Sequence, residues 1–303
     1  MGSLKGQNLR IGIENAGGDF AVVAMATSCT INLNTNTDDA ATKDDAGMVA
    51  KPTVNSKSWQ VQVESLDVSN VGVLLTAIKS NTKFYLIWDE TSTTDNYTSQ
   101  HAAYSRKGYA YLSDATFTFD DRTNSAKSLQ FTGIGALSST ASGDIMMGPL
   151  NDDYTKGQFV RLYLSSDNTA APSTVVGAAK QLSLHISVSM EDSTTKDTDG
   201  TWAIQEPVAI NYDITSNALV RSGDTITSAV GAKGLADLET IYENATPVKW
   251  KIANTSGANN RTAGSVICSG SAILSSLAIN AAVKQNATYT ATLTGYGAYT
   301  VGS

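Results

Sequence analysis

Two acidic segments that end in glycine lie in similar settings in the two halves of the chain, and this repetition constrains the fold most. The first is ATKDDAG, at Ala41–Gly47, and the second is TTKDTDG, at Thr194–Gly200; they lie 153 residues apart. A tryptophan follows each of them. In a chain of 303 residues, an internal repeat of this period predicts two similar domains of ordinary size.

Other matches occur in the same order at similar spacings. They are KGQNLRI with KGQFVRL (Lys5 and Lys156), SWQVQVESL with NYDITSNAL (Ser58 and Asn211), GYAYLSD with GSAILSS (Gly108 and Gly270), and NSAKSLQFTGIGAL with NATYTATLTGYGAY (Asn124 and Asn286). The offsets grow from 151 to 153 to 162, as insertions in loops would produce. We interpret them as a tandem duplication: a first domain at 1–140, a linker at 141–155 and a second domain at 156–303.

Strict alternation of apolar and polar residues predicts that each repeat is mostly β-strand. In KQLSLHISVSM, Leu182, Leu184 and Ile186 share one face, while Ser183 and His185 share the other. Alternation with a period of two is typical of a sheet with one covered face. The fold class predicted here is mainly β, a sandwich or barrel-forming sheet.

One amphipathic helix per repeat interrupts the strands. SNVGVLLTAIKSN carries an apolar stripe behind a possible N-cap at Ser69 or Asn70, and KGLADLETIYEN is its counterpart, with Tyr242 on the stripe. Both segments reach an asparagine, Asn81 and Asn244, which tolerates the left-handed turn after a helix. Each helix is expected to cover one face of its sheet.

The charge balance limits the partners that the chain can have. Its formal net charge is −7 and only 16% of its residues are charged, whereas a nucleic-acid reader needs a basic face. No apolar run has the ~18 residues of a membrane helix, and a basic segment followed by an apolar one is missing at the N-terminus. We therefore expect no membrane partner and synthesis in a cytosol.

No catalytic, cofactor-binding or metal site is predicted. The two cysteines, Cys29 and Cys268, are interpreted as small buried hydrophobic residues. His101 and His185 do not belong to any nucleophile, zinc or P-loop motif. The aspartates of the acidic segments could bind calcium, but their spacing lacks the alternating ligands and terminal glutamate of an EF-hand.

The order of these elements resembles that of the major tail tube proteins of long-tailed bacteriophages. The resemblance rests on the strand pair around each acidic segment, on VGVLLTAIKSNTKFYLIW for the helix and core strand, and on SLQFTGIG and TATLTGYG for the closing strand. The family usually has one such domain per chain and forms hexameric rings. A duplicated chain would then form trimeric rings with pseudo-six-fold symmetry.

The resemblance also implies roles for the loops. The stretches Thr37–Lys57 and Asp192–Pro207 would be long connections between strands that contact the adjacent ring. The residues that we expect in these inter-ring contacts are Thr42, Lys43, Asp44, Asp45, Thr195, Lys196, Asp197 and Asp199. The partners implied are further copies of the chain, other tail proteins, and DNA that passes through the lumen without specific binding.

A second candidate contact lies in the irregular stretch Asp89–Gly108. Its Tyr97, Tyr104 and Arg106 are residue types that anchor protein interfaces, and we interpret them as candidates for contacts between subunits. A plain surface loop is the alternative.

Three other functions stay open at the level of sequence. One is a ring, terminator or hub protein present once per virion. Another is a bacterial surface-binding protein built from tandem β domains, and the third is an enzyme.

Overall fold

The computed structural model describes most of the chain. The described residues are 6–14, 18–41, 51–66, 68, 70–91, 100–141, 143–148, 155–195, 200–220, 232–256 and 262–302. Strands dominate, which confirms the mainly β class, and the described residues form a 17-stranded sheet and two α-helices.

The long strands and the helix follow one another in the same order in both halves, and the second half has one additional short strand, β13, before its helix. In the first half they are β1 (Leu9–Glu14), β2 (Phe20–Val22), β3 (Ala26–Asp39), β4 (Pro52–Ser65), α1 (Val71–Lys79), β5 (Phe84–Glu90), β6 (Arg106–Asp120), β7 (Ala126–Ser139) and β8 (Met146–Met147). In the second half they are β9 (Val160–Leu164), β10 (Thr174–Val176), β11 (Ala179–Asp192), β12 (Gln205–Leu219), β13 (Ala232–Lys233), α2 (Leu235–Asn244), β14 (Val248–Ser256), β15 (Thr262–Asn280), β16 (Thr288–Gly295) and β17 (Thr300–Val301). We call β1–β8 with α1 the first unit, and β9–β17 with α2 the second unit.

Equivalent strands pair in equivalent ways in the two units. In the first unit, β1 pairs with β2 and β5, β5 with β6, β6 with β7, β7 with β4, and β4 with β3. In the second unit, β9 pairs with β10 and β14, β14 with β15, β15 with β16, β16 with β12, and β12 with β11. All these pairs are antiparallel, and each of them has a counterpart in the other unit, whereas the short pairings β2–β8, β10–β13 and β15–β17 have none.

The agreement extends to the register of single residues. The β3–β4 hairpin shifts register between Ala26 and Ser28, and the β11–β12 hairpin does so between Ala179 and Gln181, which lie 153 residues further along. A bulge also recurs between β6 and β7 at Ser113 and between β15 and β16 at Ser275. Bulges are specific features of a ladder, so their recurrence indicates equivalent backbones.

Each unit places one large aromatic ring over a glycine of the neighbouring strand. A Cβ added at Gly133 would lie 2.1 Å from the ring of Trp59, and one added at Gly295 would lie 2.6 Å from the ring of Tyr212. Trp59 is fully buried. Only glycine leaves room for such close contact between a ring and a strand.

Both helices lie where the sequence predicts them, but only the first ends as predicted. Asn81 adopts the left-handed conformation after α1, as predicted, but after α2 the left-handed residue is Ala245 rather than Asn244, which is the last residue of the helix. Asn70 occupies the N-cap position of α1 without a side-chain capping hydrogen bond. The expectation for Tyr242 was wrong, because its side chain is 53% exposed.

Candidate assembly surfaces

The two units are joined by one antiparallel ladder, which we call the internal seam. Residues 114–120 of β6 pair with residues 181–187 of β11 in seven consecutive pairs. On one side of the seam Phe117 and Leu184 face each other, and both are buried, at 0% and 2% exposure. Burial of such side chains contributes about 1.5–3 kcal/mol each, so the seam belongs to the hydrophobic core.

The other side of the seam is polar and carries a hydrogen bond between two side chains. His185 Nε2 lies 2.8 Å from Asp114 Oδ2, and both side chains are partly exposed. His185 was predicted on the polar face of its strand, and the structure confirms that position. An exposed pair of this kind contributes ~0.2–1 kcal/mol, so it adds more to specificity than to stability.

A segment of the second unit also lies on the first unit, next to the internal seam. The backbones of Thr201 and Ala203 bond to that of Lys57 in β4, and Gly135 N–H in β7 donates to Ala203 O at 2.9 Å. The Lys57 ammonium lies 5.8 Å from the centre of the Trp202 ring. This part of the β11–β12 connection therefore covers the surface of the first unit at Lys57 and Gly135.

The helix of the first unit forms a third contact between the units. The hydroxyl of Tyr299 donates to the carbonyl of Leu75 at 2.8 Å. Gly72 of α1 faces Val301, whose Cγ1 would lie 3.6 Å from a Cβ at that glycine. Five side chains of α1 are buried, whereas only Leu238 and Ile241 are buried in α2.

The internal seam links eight strands in the order β3, β4, β7, β6, β11, β12, β16 and β15. No described strand pairs with the side of β3 that faces away from β4, or with the side of residues 276–280 of β15 that faces away from β16. We call residues 28–34 the β3 edge and residues 276–280 the β15 edge. Leu33 in the β3 edge and Ile279 in the β15 edge are 62% and 53% exposed. Two sheet edges with apolar side chains are thus open for pairing.

One face of these eight strands is polar throughout its middle. Residues opposite one another on this face include Asn32 with Gln60, Gln62 with Gln130, Thr116 with His185, Asp213 with Thr294, and Thr215 with Thr292. Hydroxyl and amide groups predominate, and the carboxylates outnumber the lysines and arginines in the chain as a whole. None of these pairs includes a lysine or an arginine.

An open groove of about 480 Å³ lies at the start of β12. Its walls include Ile210, Tyr212 and Gly297 of the second unit, with Lys79 and Asn81 at the end of α1. Ile210 and Gly297 are the repeat equivalents of Lys57 and Gly135, the residues to which Thr201–Ala203 bond. The position that is filled on the first unit is therefore an open groove on the second.

The loops predicted to join rings are shorter than expected. β3 continues to Asp39 and β4 begins at Pro52, so that residues 37–39 and 52–57 of the predicted connection Thr37–Lys57 are strand; in the second unit β11 ends at Asp192 and β12 begins at Gln205. Thr42, Lys43, Asp44, Asp45, Lys196, Asp197 and Asp199 lie outside the described residues. Thr195 is described and exposed.

The second candidate contact is partly described. Tyr97 lies outside the described residues. The Tyr104 hydroxyl donates to Glu90 Oε2, and this hydrogen bond raises the pKa of Tyr104 to about 12. Arg106 begins β6, and its guanidinium donates to the carbonyls of Ala103 and Ser105. Both side chains form hydrogen bonds within the stretch Asp89–Gly108. The Tyr104 side chain nevertheless remains 46% exposed.

The remaining chemistry-bearing groups do not form a cluster. Among the described residues no three histidine, cysteine, aspartate or glutamate side chains are grouped as metal ligands would be. Cys268 is fully buried, which raises the pKa of its thiol, whereas Cys29 on the β3 edge is only half-buried. Within the described part of the chain, neither helix has the length and apolar character that crossing a membrane requires.

Comparison with known proteins was made with families, curated sequences and solved structures. Three solved structures align over 48–49% of this chain. Two come from gene transfer agent particles: the tail of an empty particle (12% sequence identity, 99% of that chain covered, TM-score 0.38) and a native virion (12% identity, 99% covered, TM-score 0.35). The third is the SPP1 tail tube (17% identity, 78% of that chain covered, TM-score 0.36). No curated protein sequence matches.

The family match covers the second unit. Residues 155–301 match the model of the family described as phage tail tube protein. The matched range runs from the residue before Lys156 to the end of β17, so it contains the complete second unit. By this match, the second unit belongs to the phage tail tube protein family.

Proposed function

We propose that the protein is the major tail tube protein of a phage, whose copies form stacked rings around a conduit for DNA. The observation that carries the proposal is the family match over the complete second unit, residues 155–301. The role is structural, and no catalytic step belongs to it. The protein would be assembled in the bacterial cytoplasm and reside in the tail of the virion, next to other tail proteins.

The first unit is proposed to be a second copy of the same domain. The supporting observation is that hairpins, bulges and the ring-over-glycine contact recur at the offsets of the sequence repeat. Domains at 1–140 and 156–303 would then be joined by the linker 141–155. Part of that linker, β8, packs back in parallel on β2.

We expect three chains in each ring. Each chain contributes two units, and three chains give the six units of a pseudo-six-fold ring. A head-to-tail contact generates a closed ring when its rotation closes, and closure removes every open sheet edge. Eight strands from each chain would form the wall.

The polar face of the eight strands is proposed to line the lumen. Its serine, threonine, asparagine and glutamine side chains remain hydrated beside DNA, and its few charges are dominated by carboxylates such as Asp213 and Glu64. In a chain with a net charge of −7, repulsion of phosphate prevents binding, so DNA can slide.

The inter-ring role of the acidic connections remains part of the proposal. The connections 40–51 and 193–204 follow equivalent strand ends in the two units. The repeats of a ring would therefore present two sets of them toward the next ring. Tyr104 and Arg106, with Tyr97, stay candidates for contacts between subunits.

Electron microscopy of the concentrated protein, combined with its mass in dilute solution, tests the function. We expect tubes of stacked rings with three chains per ring. Rings that never stack would favour a terminator or hub protein. A ring of six chains would contain twelve units and would contradict the expected three chains per ring. A chain that stays monomeric at every concentration would contradict the proposal.

A further inference from the structure

We infer that the β15 edge of one chain pairs with the β3 edge of the next, in the register of the internal seam. This inference rests on the proposed function, because it specifies how the ring closes. The occupant of each edge is a second copy of the same chain. The residue pairs follow from the structure without further assumptions about the ring.

The internal seam is the template. Strand β6 of the first unit corresponds to β15 of the second at an offset of 162, and β3 corresponds to β11 at an offset of 153. In the seam, Phe117 pairs with Leu184 and Ala115 with Ile186. Transferred to the free edges, these pairs become Ile279 with Ile31 and Leu277 with Leu33.

The exposure of the edge residues agrees with a missing neighbour. Ile186 is 1% exposed in the seam, whereas its equivalent Leu33 is 62% exposed; Phe117 is 0% exposed, whereas its equivalent Ile279 is 53% exposed. The two residues of each comparison occupy equivalent positions in equivalent strands of the two units. The difference is that a strand of another unit covers one of them and not the other.

The open groove adds an independent observation. On the first unit, the equivalent surface at Lys57 and Gly135 is occupied by Thr201–Ala203, which belong to the same hairpin that provides the β11 side of the seam. The groove beside Ile210 and Gly297 lies on the unit that presents the β15 edge. An unfilled position of this kind beside the β15 edge is what a missing neighbouring copy would leave.

The internal seam and the proposed contact between chains differ in their polar residues. The seam contains the pair of His185 and Asp114, whose repeat equivalents are Asn32 and Ser276. Both of these are neutral, so the contact between chains leaves no charge unpaired. The hydrogen-bonded pair of His185 and Asp114 is confined to the contact within the chain, where the linker already joins the units.

Native Cys29 provides the test, since its partner in the transferred register is Ala281. Residues directly opposite in an antiparallel pair have Cα atoms ~4.5–5.5 Å apart, within the range for a disulfide. We would oxidise tubes of the Ala281→Cys variant and separate the products without reductant. Asn280→Cys is the matched control, because the adjacent side chain points to the opposite face.

The expected result is covalent linkage between chains in Ala281→Cys, at least about tenfold more than in the control, with three chains as the largest product. Cys268 is buried and does not contribute. Tubes that form normally but cross-link no better than the control would overturn the register and leave the tube function standing. Failure of the wild-type chain to form any ring or tube would instead overturn the proposed function, and this inference with it.

Discussion

The two units of the chain share a backbone and differ in what covers them. Hairpin registers, bulges and the glycine beneath the large ring are the same in both. In the first unit β6 and α1 are covered by the second unit, whereas no such cover of their counterparts β15 and α2 is found among the described residues. Sites that are buried in one unit and exposed in the other therefore mark where a neighbour belongs.

The largest effect on assembly is expected for Leu33→Asp. Leu33 is 62% exposed in the single chain, so folding should persist, but in the assembled edge an unpaired carboxylate would be buried at a cost of several kcal/mol. A cost of ~3 kcal/mol would raise the concentration needed for assembly roughly a hundredfold. Sedimentation of tubes against protein concentration measures it.

Val73→Asp is the matched control for that prediction. Val73 is 66% exposed on α1, away from both sheet edges. We expect it to assemble close to the wild-type concentration. Equal impairment by both substitutions would mean that added charge, rather than the β3 edge, decides assembly.

Phe117→Ala and Ile279→Ala compare the seam with the free edge in the single chain. Phe117 is fully buried, and its truncation should lower the free energy of unfolding by about 3–5 kcal/mol. Ile279, its half-exposed equivalent, should change the free energy of unfolding by less than about 0.5 kcal/mol. Urea unfolding in dilute solution measures both, and equal losses would break the comparison.

Gly133→Ala and Gly295→Ala test a feature that the units share. The added methyl group would lie 2.1 Å from Trp59 in one and 2.6 Å from Tyr212 in the other, so both should destabilise the fold by about 1–3 kcal/mol, Gly133→Ala more. Gly143→Ala, with open space around its Cβ, serves as the control in thermal unfolding. A neutral effect at Gly295 would contradict the equivalence.

Asp114→Asn should have the smallest effect. It removes the partly exposed contact with His185 at the seam, which is worth ~0.2–1 kcal/mol at low salt and less at high salt. Urea unfolding at two salt concentrations measures it. A loss above ~2 kcal/mol, unchanged by salt, would show that the pair is a buried element of the seam.

Local features could be predicted from the sequence because they depend on near neighbours. Alternation placed Leu182, Leu184 and Ile186 on the buried face, and the repeat offsets anticipated which residues of β4 and β12 are equivalent. The left-handed turn at Asn81 followed from residue type. Ala245 could not be anticipated in the same way, because its conformation is imposed by the chain that follows.

The contact between the units lay beyond the sequence argument. Nothing in β6 or β11 alone specifies that they pair, since any exposed strand offers the same backbone groups. The position of Trp202 over Lys57 depends on the course of the whole β11–β12 connection. The exposure of Leu33 became informative only when its equivalent, Ile186, was seen to be covered.

The most direct test of the account is a side-chain-resolution electron microscopy structure of the assembled tube. The account predicts three chains per ring and a β15–β3 ladder between chains that superimposes on the β6–β11 ladder within the chain, with Ile279 opposite Ile31. A ring whose chains meet through other surfaces, or in which the β3 edge stays unpaired, would contradict it.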